Sequence, residues 1–153
     1  MSFLYRRTIR FHETDAAGVM YFANLLSLCH EAYETAIAAA GFDLATFFSA
    51  RGAVALPIVH TSADFFQPMR CGDSVAVRTK PQLLTADSFE ISYEVFPQRE
   101  GSQAVDGSAK CLANALTRHV CISPQTRHRQ ALPAELTRWV EGFSQDADFS
   151  QAR

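Results

Sequence analysis

This 153-residue chain lacks most of the short signatures that announce a chemistry. Its four cysteines, Cys29, Cys71, Cys111 and Cys121, form no CxxC pair and keep no regular spacing. That argues against a dithiol redox centre or a thiolate-held zinc, and reads as free buried thiols. The five histidines, at 12, 30, 60, 119 and 128, give no HExxH and no paired ligand spacing, so no metal is expected. No GxSxG elbow, P-loop or Rossmann fingerprint occurs, and neither Ser27 nor Ser62 has a nucleophile-elbow context. By elimination, an acidic residue is the best catalytic candidate.

An excess of one charge is missing too. The net charge is −2 and the pI about 6.2, so neither nucleic acid nor a membrane surface is expected as partner. No apolar run is long enough to span a bilayer, and MSFLYRRTIRF reads as a strand rather than a signal peptide. A soluble, cytoplasmic protein is the expectation. What is present is an ordinary globular balance, 48% hydrophobic and 20% charged. It predicts a single domain over 1–143, followed by a polar, disordered tail over 144–153, with no repeat or linker.

Residues 3–11 alternate as a strand with one aromatic face. From Phe22 the period changes. Phe22, Leu25, Leu26, Cys29, Ala32, Tyr33, Ala36, Ile37 and Ala40 recur at three-and-four spacing. This predicts one helix of about 18 residues, apolar over a wide arc and ended by Gly41. A short helix capped by Asp43 is expected over 43–50. Strands are predicted over 54–68, 74–84, 89–96 and about 104–122, with Pro81 marking an edge or bulge and a turn near 99–102. A last helix over 132–143 is anchored by Trp139. The long helix has no cover except the sheet, so the fold class is α+β, a sheet wrapped around one central helix.

Asp15 stands where the first strand gives way to that helix. It is either a turn or helix cap or a reacting group. Asn24 lies closer to the predicted helix start and could be the cap instead, and Gly18 permits positive φ between them. A carboxylate facing free N–H groups of a buried helix's first turn can act as base or nucleophile while the amides hold an oxyanion. His30 and Glu34 read as an i,i+4 charge pair, His60 and Asp64 as an exposed or interface pair, and His119 as a structural residue. Arg127, His128 and Arg129 form a small basic cluster, either a solvated loop or a grip on a phosphorylated ligand.

The stretch Asp15-Ala-Ala-Gly-Val-Met-Tyr-Phe-Ala-Asn24 resembles the signature of the 4-hydroxybenzoyl-CoA thioesterase group of hotdog-fold proteins. Phe65, Pro68, Gly72-Asp73, the HVCI strand end at 119–122 and TRHRQALP at 126–133 are similar to that group as well. CHEAYE (29–34), ALPIVHTSADFFQP (55–68) and CGD (71–73) look most like the members that hydrolyse 1,4-dihydroxy-2-naphthoyl-CoA in phylloquinone and menaquinone synthesis.

The resemblance implies a hotdog fold, with a five-stranded antiparallel sheet wrapped around one long central helix. It implies a homodimer joined edge to edge, paired into a tetramer, with active sites at the subunit interface. It makes Asp15 the catalytic carboxylate and the N–H near Phe22, with Gly18, the oxyanion site. Tyr21, Asn24, His60, Arg127 and Arg129 become substrate-binding candidates. No cofactor is implied beyond the CoA of an acyl-CoA substrate. Where the group often has Pro and Tyr, this chain has Ala16 and Phe22, which spares a main-chain donor but removes a tyrosine hydroxyl. Hydrolysis of fatty acyl-CoA or acyl carrier protein, or a non-catalytic binding subunit, are the competing expectations.

Overall fold

The computed structural model describes residues 2–98 and 109–143. The expected turn near 99–102, the start of the last predicted strand and the predicted tail over 144–153 lie outside the described residues. In chain order the elements are β1 (Phe3–Thr8), a 3-10 turn (Phe11–Glu13), α1 (Asn24–Ala39), α2 (Leu44–Phe47), β2 (Ile58–Phe65), β3 (Ser74–Thr85), β4 (Ser88–Pro97), β5 (Ala113–Val120) and α3 (Ala134–Gly142). The five strands form one antiparallel sheet in the order β1-β3-β4-β5-β2. This is the hotdog arrangement.

The central helix is where the period placed it, two residues shorter at its start. It buries Leu25, Leu28, Cys29, Ala32, Tyr33, Ala36 and Ile37 against β1, β3 and β5. Each large side chain so buried stabilises the fold by about 1.5–3 kcal/mol. Gly41 follows at φ +89°, a left-handed stop that a side chain would strain. Asp43 caps α2 by accepting from the Thr46 N–H at 2.9 Å.

The first strand is shorter than its alternation suggests, because the main chain changes partners. Ile9 exchanges hydrogen bonds with Gly72 and Asp73, and the Arg10 N–H goes to the Glu13 carboxylate at 2.7 Å. Those bonds carry the chain out of β1 and into the 3-10 turn. Pro81 lies in β3 beyond Thr79, where pairing with β1 ends, so its missing N–H costs no ladder bond there. The expectation of buried thiols holds for Cys29 and Cys121. It fails for Cys71, which is exposed beside the Gly72 turn.

β2 differs from every other strand. Like β1 it is an edge strand, pairing only with β5, but all eight of its residues are exposed. The helix packs on β1, β3 and β5, and β2 stays uncovered on both faces.

Candidate active site

The turn that carries Asp15 is closed from within. Thr14 and Met20 form an isolated antiparallel bridge. Inside it the Asp15 N–H donates to the Val19 carbonyl and the Gly18 N–H to the Asp15 carbonyl, each at 3.0 Å. Gly18 sits at φ +76°, so its contribution is backbone freedom, and its N–H is already taken. Asp15 Oδ1 accepts from the Ala17 N–H at 2.8 Å, an Asx turn. Among the described residues Oδ2 has no hydrogen-bond partner, and the side chain is exposed. One oxygen finishes the turn while the other stays free for chemistry.

Asn24 does not cap α1, contrary to one expectation. The N-cap position is Ala23, with no side-chain bond. Asn24 is the first helical residue, and its Nδ2 reaches back to the Glu13 carbonyl at 2.9 Å. Without a capping side chain, the N–H groups of Phe22 and Ala23 have no acceptor among the described residues. The next two are used, Asn24 N–H by Tyr21 and Leu25 N–H by Phe22. Free amides at a helix start attract developing negative charge.

Asp15, Tyr21 and Phe22 line a cavity of about 410 Å³ with Phe65, Phe66 and Pro68. Phe65 ends β2, and Phe66 and Pro68 follow it directly. Phe22, Phe65 and Phe66 are 66%, 44% and 56% exposed, unusual for phenylalanine. A free carboxylate oxygen, a free amide and an apolar wall are the components of acyl transfer.

Sequence reasoning missed the support beneath this turn. Glu13, only 5% exposed, receives both Nη groups of Arg7 and the Arg10 N–H. Arg7's hydrogen bonds hold the Glu13 carboxyl below its ordinary range, against the upward push of burial. Arg7 Nε also lies 2.8 Å from Glu31 Oε2, within ion-pair range though not aligned as a hydrogen bond. The Tyr5 hydroxyl donates to the same Glu31 oxygen at 3.0 Å. The readable signal was a second carboxylate two residues before Asp15.

His60 stands exposed on β2, opposite Arg118, and does not line the Asp15 cavity. Arg127, at φ +63°, and Arg129, 3.3 Å from Asp87 Oδ1, lie after β5 and are likewise absent from its walls. His30 and Glu34 pair at 2.8 Å on the helix surface. His119 is buried as expected, stacked on Phe89, with Nε2 2.9 Å from Thr117 Oγ1. Leu56's main chain lies beside the ring, but Nδ1 has no partner in hydrogen-bond geometry. Burial pushes this imidazole down to about 4. Among the described residues no group of three or more His, Cys, Asp or Glu side chains could hold a metal ion.

The model of the thioesterase-like superfamily matches residues 9–140, nearly the whole described chain. The chain belongs to this superfamily. Among thioesterase-like relatives it is 47% identical to the 1,4-dihydroxy-2-naphthoyl-CoA hydrolase of Trichodesmium erythraeum, covering 94% of this chain and 98% of that one. It is 44% identical to the enzyme of the same name from Nostoc punctiforme, over 100% and 96%. The crystal structure of a 1,4-dihydroxy-2-naphthoyl-CoA thioesterase from Synechocystis superposes with a TM-score of 0.80 at 35% identity, covering 94% of this chain and 98% of that one. In this thioesterase-like chain the aromatic pair before Asn24 is Tyr21-Phe22, so position 22 has a main-chain N–H to offer but no hydroxyl of its own.

Proposed function

We propose that this protein hydrolyses the thioester of an aromatic acyl-CoA, with 1,4-dihydroxy-2-naphthoyl-CoA as substrate, releasing the free acid and CoA for phylloquinone or menaquinone synthesis. The observation that carries the proposal is the free Oδ2 of Asp15 sharing a cavity with Phe22, whose N–H is unused. The relatives' names supply the acyl group.

The thioester carbonyl oxygen lies at the start of α1, where the Phe22 N–H holds the negative charge that develops on it. Asp15 works in one of two ways. As nucleophile, its oxygen bonds to the carbonyl carbon, CoA leaves as thiolate, and water cleaves the mixed anhydride. As base, it takes a proton from water while that water attacks. Both routes consume one water and use no cofactor beyond the CoA of the substrate. Phe65 and Phe66 offer the aromatic acyl group an apolar wall, and Arg127 and Arg129 offer the CoA phosphates a basic loop.

We also propose a cytoplasmic homodimer, paired further into a tetramer. β2 is an unpaired edge that carries exposed Ile58, Val59 and Phe65, and such an edge templates a second strand. Its natural partner is the β2 of a second copy, because an antiparallel two-fold pairing is self-complementary. The fifth strand would then continue into a second sheet, and the Asp15 cavity beside Phe65 would gain walls.

The test is hydrolysis of 1,4-dihydroxy-2-naphthoyl-CoA measured beside benzoyl-CoA and palmitoyl-CoA. Preference for the naphthoyl thioester supports the proposal. Preference for palmitoyl-CoA would make it a fatty acyl thioesterase, and no turnover of any would make it a binding subunit.

A further inference from the structure

Asp15 and the Phe22 amide can cooperate only if the loop between them is held, and a single carbonyl ties its return strand. The main-chain oxygen of Glu13 accepts from the Tyr21 N–H at 2.8 Å and from Asn24 Nδ2 at 2.9 Å. Tyr21 immediately precedes Phe22. Glu13 is in turn fixed by its buried carboxylate, which receives both Nη groups of Arg7 and the Arg10 N–H. Arg7 belongs to β1 and faces Val75 in the sheet register. A continuous chain of bonds therefore runs from the rigid sheet through Arg7 and Glu13 to the residue beside the free amide.

We propose that Glu13, clamped by Arg7, is a positioning residue for thioester hydrolysis, setting the Phe22 N–H against the Asp15 carboxylate. The inference rests on the roles given above to Asp15 and Phe22. Neither Glu13 nor Arg7 touches the reacting atoms. Their work is to keep donor and carboxylate in register, and a misplacement of about 1 Å in such a pair can cost about a hundredfold in rate. Loss of the Glu13 charge leaves the part-buried Arg7 without its principal partner, so the clamp should loosen rather than merely weaken.

The rival view is that the pair only staples the fold. Glu31 separates the two, because it shares Arg7 through Nε at 2.8 Å and bonds Tyr5, while no hydrogen bond or ion pair joins its side chain to residues 13–24. Steady-state kinetics and thermal unfolding are measured for wild type, Glu13→Gln and Glu31→Gln on the acyl-CoA that wild type hydrolyses best. Glu13→Gln is expected to lower kcat about tenfold to a hundredfold with KM within about threefold, and Glu31→Gln to keep kcat within about twofold. Should Glu13→Gln not fold, Arg7→Lys, which cannot chelate Glu13 with two parallel donors, takes its place.

Loss of kcat in both variants in proportion to their lost Tm would overturn the proposal. Amide hydrogen exchange gives a readout that needs no substrate. The Tyr21 amide should exchange at least about tenfold faster in Glu13→Gln and not in Glu31→Gln. If wild type hydrolyses no acyl-CoA, the assignment of the site fails on its own, and exchange decides the clamp. Unchanged protection at Tyr21 would overturn it.

Discussion

Asn24 Nδ2 donates to the main-chain oxygen of Glu13 across 2.9 Å, so the first residue of the central helix is tied to the end of the turn before Asp15. An asparagine at the mouth of a helix looked like a cap, but it is a staple between two loop ends. Asn24→Ala should cost about 1 kcal/mol, the usual worth of one such bond. Asn24→Asp should cost more, because a carboxylate cannot donate and would face the carbonyl oxygen of Glu13. Chemical denaturation of the two variants checks the order.

Asp15→Asn separates the two duties of this side chain. An amide oxygen still accepts from the Ala17 N–H, so the turn survives, and stability should stay within about 0.5 kcal/mol of wild type for an exposed site. Hydrolysis should fall by about a hundredfold to ten-thousandfold. Retained turnover in a well-folded Asp15→Asn protein would remove Asp15 from the chemistry.

His119 predicts how the fold responds to acid. Its folded-state imidazole titrates at about 4 against an ordinary 6.5, with burial as the first cause. The unfolded chain therefore binds the proton first, between 6.5 and 4. The stabilisation is complete above 6.5 and drains away as the pH falls toward 4, on the order of 3 kcal/mol in all. Glu13, lowered below its ordinary 4.5 by Arg7, adds a further loss on the acid side of that value. Urea unfolding at pH 7, 5.5 and 4.5 should show the decline, and His119→Gln should flatten it.

The edge strand gives a test of assembly. Val59 is 55% exposed on β2, and a lysine there blunts an edge against pairing. Val59→Lys should shift the protein from dimer to monomer in sedimentation velocity, and hydrolysis should fall with it if the cavity beside Phe65 needs the second copy. A monomeric wild type would dispose of the β2 pairing.

Much of this molecule was legible in one dimension. The three-and-four spacing from Leu25 to Ile37 marked a helix with a wide apolar arc, and seven residues of that stretch are buried while Ser27 and Thr35 face outward. The alternation of Phe89, Ile91, Tyr93 and Val95 marked a strand, and all four are buried in β4. The spacing Asp15–Gly18–Asn24 pointed to the turn whose Asp15 lines a cavity with Phe22. The local roles were less legible. Gly18 N–H and Asn24 Nδ2 were free to be donors of any kind until their acceptors, the Asp15 and Glu13 carbonyls, were known.

Sequence by itself determined the elements, because period and turn chemistry are local and each residue carries its own vote. It also marked Asp15, since a carboxylate followed by glycine and an apolar helix is a pattern along the chain. Only the tertiary structure decided that Asp15 divides its two oxygens between a turn and the cavity. Only it joined Arg7 to Glu13, six residues apart, and brought Phe65 and Phe66 to the wall beside Phe22 from more than forty residues away. Hydrogen-bond acceptors and apolar neighbours are chosen by how the chain closes on itself, and closure is a property of the whole sheet and helix together.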